Sequence, residues 1–181
     1  MVIASTRDPA VLRDQLTEWF RSTLGQDAAP EVSEVSSPSG TGMSSETLLF
    51  DVSATIDGER ATRSYAARLP PAEVDHPVFP SYDLELQFRC LRLVREHSDV
   101  PVPAAPWWEP DPTALGSPFF VMERVDGIVA SDNPPYVFGG WVVDIGPDGR
   151  EELERGVIEV LAGLHAIDIE AADTAFLDRP E

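Results

Sequence analysis

The residues best suited to chemistry lie in a few short stretches. Ser36-Ser-Pro-Ser-Gly-Thr-Gly-Met-Ser-Ser-Glu46 is small, polar and glycine-containing, and it runs into the apolar alternation Thr47-Leu-Leu-Phe-Asp-Val-Ser-Ala-Thr55. A Gly/Ser loop on top of a strand pair can point backbone N–H groups at phosphates without side-chain obstruction, although a plain surface loop reads the same way. Gly116-Ser-Pro-Phe-Phe-Val-Met-Glu-Arg-Val-Asp-Gly127 is an apolar run closed by turn residues. It predicts a buried strand running out into a loop, where backbone groups lose sheet partners and become free to pair with a flat ligand. Cys90 stands in an apolar helical pattern with no cation placed to activate it, and reads as a small buried filler. The spacing of acidic residues around Pro147-Asp-Gly149 does not fit a calcium loop and predicts a turn.

Composition narrows the chemistry. The 181 residues suffice for a real core, with 43% hydrophobic and 25% charged residues. All 13 basic residues are arginine, so no lysine-dependent phosphate grip exists in this chain. The formal net charge of −19 weighs against nucleic acid or an anionic membrane surface as partner. No apolar run approaches the roughly 18 residues of a membrane span, and the N-terminus does not resemble a signal peptide. A single cysteine excludes an internal disulfide and suits a reducing compartment, which makes the cytoplasm the expected location.

The elements that must position these residues follow from periodicity. Asp8-Pro9 is an N-cap followed by proline at the first helical position, and Leu12, Leu16, Trp19, Phe20 and Leu24 recur at helical spacing up to Gly25. Residues 26–40 are acidic and Ser/Pro-rich and read as a mobile connection. The strand at 47–55 turns at Ile56-Asp-Gly-Glu59 into a second at 63–68, since Asp-Gly is a strong hairpin signal. Asp83–Glu96 is a second amphipathic helix, with Leu84, Phe88, Leu91, Val94 and the amide of Gln87 on one stripe and Glu85 toward water. Val100-Pro-Val-Pro103 is extended. After an irregular aromatic segment, a helix runs from Glu151 to about Ala166 with an apolar face at Leu153, Val157, Val160, Leu161 and Leu164.

The strings LGSPFFVMERVDG, DVPVP and DNPPY, in this order of elements, resemble the aminoglycoside-phosphotransferase-type family of kinase-like phosphotransferases from about Ser39 to Ile167. The resemblance implies an α+β fold: a protein-kinase-like small lobe of antiparallel sheet plus helix, an N-terminal helix, and an incomplete helical large lobe. The expected divisions are 1–35 for the helix and linker, 36–127 for the nucleotide-binding lobe with its hinge, and 128–181 for the start of the large lobe. Gly40, Thr41, Gly42, Ser44 and Ser45 would lie over the phosphates of ATP, and Arg68 would be the phosphate-contacting base where many kinases use lysine. Arginine there keeps the charge but reaches and hydrogen-bonds differently. Gln87 would pair with Arg68 in place of the family's glutamate. Met122 would line the adenine pocket, and Glu123 and Val125 would offer it backbone groups. His165 would be a packed, hydrogen-bonded residue, not a catalytic one.

Phosphoryl transfer in this fold needs a catalytic aspartate, plus an asparagine and a second aspartate that hold magnesium. His165-Ala-Ile-Asp168 has the wrong spacing for that signature, and the only asparagine is Asn133. The expectation is therefore the N-terminal, nucleotide-binding portion of an ATP-dependent phosphotransferase acting on a small-molecule hydroxyl. Magnesium would be held only with the missing half, and the chain alone would be inactive. A non-catalytic nucleotide-binding or protein-interaction module is the alternative. The apolar face of the last helix further predicts self-association or cover by the missing half.

Overall fold

The computed structural model describes residues 7–38, 45–71, 81–131 and 135–177. It is an α+β chain whose contacts divide it into two compact units, 1–91 with 103–124, and 92–102 with 125–181.

In the first unit, β1 (Glu31–Val32), β2 (Glu46–Ile56), β3 (Glu59–Leu69), β4 (Trp107–Glu109) and β5 (Phe119–Glu123) form one antiparallel sheet in the order β1-β2-β3-β5-β4. The β2–β3 hairpin pairs from Ile56↔Glu59 to Glu46↔Leu69. Its two-residue turn has positive φ at both Asp57 (53°) and Gly58 (83°), the geometry whose twist matches the flanking strands. Strand alternation then sorts the side chains onto two faces.

One face carries Leu48, Phe50, Val52, Ala54, Tyr65, Ala67, Leu69, Phe119 and Val121, all buried in a core shared with α1 (Pro9–Leu24). Asp8 caps α1 by accepting the Ala10 amide at 2.8 Å, and Leu12, Leu16, Trp19 and Phe20 enter the sheet core. Trp19 packs edge-on against Phe119 at 5.0 Å, and its Nε1–H donates to the Glu109 carboxylate at 2.8 Å, so the buried indole is satisfied. The opposite face meets α2 (Leu84–His97) through a smaller cluster of Leu84, Phe88, Ala105 and Phe120, with Leu91, Trp108 and Met122 packed around it. Asp83 accepts the Leu86 amide at 2.7 Å at the start of α2.

Residues 26–38 differ from the expected mobile connection. A 3-10 turn (Gln26–Ala28) leads to β1, and Ser36 exchanges backbone hydrogen bonds with Leu49 at 2.9 and 2.7 Å. The polar composition hid Val32 and Val35, of which Val35 is buried in the α1-side core.

In the second unit, α3 (Trp141–Asp144) is a single turn within the segment expected to be irregular, and α4 spans Gly146–His165. The turn expected at Pro147-Asp-Gly149 is instead the first turn of α4. Proline is tolerated there because it lacks only an N–H that has no helical partner, and Asp148 complements the helix dipole. Gly163 makes the tightest approach in this unit: a Cβ there would lie 2.6 Å from Val100 Cγ2. No residue of α4 is buried, and Val157 (54%), Ile158 (58%) and Leu161 (49%) are largely exposed. His165 is exposed at the end of this helix, contrary to the expectation of a packed residue, because the apolar row beside it is itself uncovered. Among the described residues, no helix is long and apolar enough to cross a membrane.

Candidate functional site

The α2-side face of the sheet presents three cross-strand rows built by register. Thr47, Arg68, Phe120 and Trp108 form the first row, and Leu49, Ala66 and Met122 the second. In the third, Asp51 opposes Ser64, and Arg124 joins them through its N–H to the Ser64 carbonyl at 3.0 Å. Sequence reasoning had singled out only Arg68 and Met122 from these rows. Ala66 was missed, although period-2 alternation from Arg68 puts it on the same face. It is 4% exposed and leaves a flat, small-residue step between Leu49 and Met122.

Arg68 is the unusual member. Its guanidinium donates to the Ser45 hydroxyl, and Ser45 is itself buried, at 9% exposure. Arg68 Nε is also buried, yet has no hydrogen-bond partner, and no described carboxylate forms an ion pair with this arginine. Burial lowers the arginine's pKa from its ordinary value, the direction expected when a cation is desolvated without a counter-ion. A buried donor left unsatisfied costs free energy, so such an atom calls for a reason.

The expected Arg68–Gln87 pair is not formed. Gln87 lies half-buried on α2 and its side chain makes no hydrogen bond among the described residues; its backbone amide bonds Asp83 at 3.4 Å. Glu85 pairs with Arg89 along the helix at 3.9 Å, so it does not replace Gln87. The short Ser45 hydroxyl reaches Arg68 from the strand next to it, which no helix-stripe pattern could have revealed.

At the end of β5, Met122 is half-buried opposite Ala66, and Glu123 is exposed. The Glu123 amide donates to the Ala104 carbonyl at 2.8 Å, and its carboxylate reaches back to the Ala104 amide at 3.4 Å. The Glu123 N–H is therefore engaged within the fold, which leaves its carbonyl as the group to offer. The Val125 amide has no partner among the described residues, and the residue is 73% exposed. Asp51 accepts from Ser64 at 2.6 Å and from Arg124 at 3.4 Å. Gly40, Thr41, Gly42 and Ser44 lie outside the described residues. Among the described residues, no group of three or more His, Cys, Asp or Glu side chains could hold a metal ion. Cys90 is half-buried, and its thiol is pushed up by burial and then by the charge of Asp83, the opposite of a reactive thiolate.

Known proteins resemble this chain in fold or in sequence. A putative aminoglycoside phosphotransferase from Ralstonia eutropha JMP134 superposes with a TM-score of 0.57 at 22% identity, over 92% of this chain and 42% of that one. The Arabidopsis thaliana protein named probable acyl-CoA dehydrogenase IBR3 is 27% identical over 132 residues, which are 73% of this chain and 14% of the plant protein. The chain thus spans less than half the length of either. The sequence profile of the phosphotransferase enzyme family (APH) matches residues 48–181, from the hairpin that bears Arg68 to the last residue, and the chain belongs to that family.

Proposed function

We propose that the first unit is the nucleotide-binding lobe of an ATP-dependent phosphotransferase acting on a small-molecule hydroxyl. The observation that carries this reading is Arg68: a partly buried guanidinium with a buried, unsatisfied Nε and no ion-paired carboxylate among the described residues is a cation awaiting an anion. A phosphate group supplies both the charge and the acceptor oxygens, and arginine's planar fork suits it. Ala66, Leu49 and Met122 form an apolar step next to it on the same face, suited to a flat base. The Glu123 carbonyl and the Val125 amide are the backbone groups that would read its edge.

On this reading the chain binds and orients nucleotide. Magnesium bound with the nucleotide would supply charge neutralisation, and the asparagine-containing signature that holds it in this fold is not in this sequence. The sequence contains no His-x-Asp followed within a few residues by asparagine. The purified chain is therefore expected to bind adenine nucleotides weakly and to transfer nothing.

Calorimetry with ATP and with adenosine tests the assignment. Arg68→Ala should weaken ATP by roughly tenfold or more, the scale of a charge-assisted hydrogen bond, and adenosine far less. Equal losses for both ligands would make Arg68 a structural residue. Absence of ATP binding would remove the reading, and γ-phosphoryl transfer by the purified chain would show a metal site elsewhere in it.

A further inference from the structure

Glu46 is the second residue of the fold with an unsatisfied buried atom. Its carboxylate is 8% exposed and lies on the α1 side of the sheet, at the open end of the β2–β3 hairpin opposite Leu69. Oε2 accepts from Arg7, while Oε1 is buried and has no partner. Arg7 immediately precedes the cap of α1 and is itself only 17% exposed. It also donates to the Pro70 carbonyl at 3.2 Å and to the Ser117 hydroxyl at 3.4 Å.

These contacts join three points of the chain, each within three residues of the candidate-site face. Glu46 follows Ser45, Pro70 lies two residues beyond Arg68, and Ser117 lies two residues before Phe119, where β5 begins. A planar guanidinium with several donors can fix separate acceptors at once, which an ammonium or an apolar contact cannot. Burying an ion pair for stability alone is a poor bargain, because an apolar pair of similar volume would serve as well or better.

We propose that Arg7 and Glu46 are positioning residues for the anion grip: by holding the open end of the hairpin, they set the separation of Ser45 and Arg68 and so the direction in which Arg68 presents its free N–H. This inference rests on the nucleotide-binding reading. It gives the segment ahead of α1 a part in phosphate recognition from the opposite side of the sheet, without touching the ligand.

The test is the ratio of affinities for ATP and adenosine, measured by calorimetry on the full chain well below its unfolding temperature. Arg7→Met should lower that ratio roughly tenfold, about the worth of one misdirected charge-assisted hydrogen bond. Arg7→Lys, which keeps the charge but loses the fork, should recover part of it. Glu46→Gln keeps an acceptor and the side-chain shape, so it serves where Arg7→Met does not fold, and it should lower the ratio by a smaller factor. An unchanged ratio in whichever of these variants folds, with Arg68→Ala still abolishing the preference, overturns the clamp and leaves the nucleotide reading standing. Wild-type protein with no preference for ATP over adenosine removes both together.

Discussion

Replacing Arg68 with methionine should leave the stability of the unliganded chain nearly unchanged and make ATP less able to stabilise it. The substitution removes a buried Nε that has no partner, a group whose desolvation costs about 1–3 kcal/mol. Against that stands the hydrogen bond to Ser45, whose loss leaves a buried hydroxyl unpaired at a cost of about 1–3 kcal/mol. Methionine fills similar length with an adaptable apolar chain. The two terms offset, so the balance lies within about 1 kcal/mol of zero, or about 2–4 °C either way in the midpoint for a chain of this size. Ligand separates the two. At a concentration of about 100 Kd, ATP should stabilise the wild type by about 2.7 kcal/mol. A variant that binds about 100-fold more weakly should gain only about 0.4 kcal/mol under the same conditions. Urea unfolding followed by tryptophan fluorescence suits the measurement, because Trp19, Trp107 and Trp108 lie in the first unit and only Trp141 in the second. If Arg68→Met destabilises the unliganded chain by more than about 1 kcal/mol, the arginine is a satisfied structural group and the reasoning fails.

Other expectations concern the rest of the molecule. Gly156 on α4 has open space around its Cβ position, so Gly156→Ala should stabilise the second unit by about 1 kcal/mol. Gly163→Ala should gain nothing, because the new methyl meets Val100 at 2.6 Å and overpacking costs about 1–3 kcal/mol. Thermal unfolding by circular dichroism separates the two, and equal gains would mean that the Val100 contact is absent. Burial raises the Tyr65 pKa above its ordinary 10.0, against the opposing charge and hydrogen bond of Arg63. The unfolded chain then ionises first, so Tyr65 contributes stability below about pH 10 that is lost as pH rises toward the folded value. In a Cys90→Ser background, which removes the other raised group, Tyr65→Phe should flatten the alkaline fall in urea midpoint; an unchanged slope would assign that fall elsewhere. The uncovered row of α4 carries the expectation of self-association. Light scattering should give a mass that rises with concentration and falls with Val157→Glu, whereas a monomer at every concentration sets that expectation aside.

What could be read from the sequence was what repeats. The Asp57-Gly58 turn, the apolar period of α1 and α2 and the run Phe119–Met122 each carry a local signal, and each element formed where that signal placed it. Residues 26–38 were misread because composition outweighed two valines, and the first turn of α4 because proline and glycine mark both loops and helix starts. The site was legible in Arg68, the last of the three arginines on β3. Ser45 was singled out too, but not its bond to Arg68, and Ala66, Glu46 and Arg7 were not: these come together through the register of the hairpin and the docking of α1, neither of which has a period to detect.

The hairpin also imposes an order of assembly. A strand pair closed by a two-residue turn zips outward from that turn, on a timescale of about 1–10 μs. Asp57-Gly58 lies at one end of an 11-residue pairing and Thr47↔Arg68 near the other. The rungs beside the anion-gripping arginine are thus among the last to close and the first to open, and the turn that starts the hairpin has least hold on them. Slow amide exchange should be strongest toward the middle of β2 and β3 and weakest near Glu46 and Leu69, unless the chain ahead of α1 has locked that end. The end of the sheet reserved for the ligand would then owe its rigidity to a residue more than 35 positions earlier in the chain, docked from outside the hairpin.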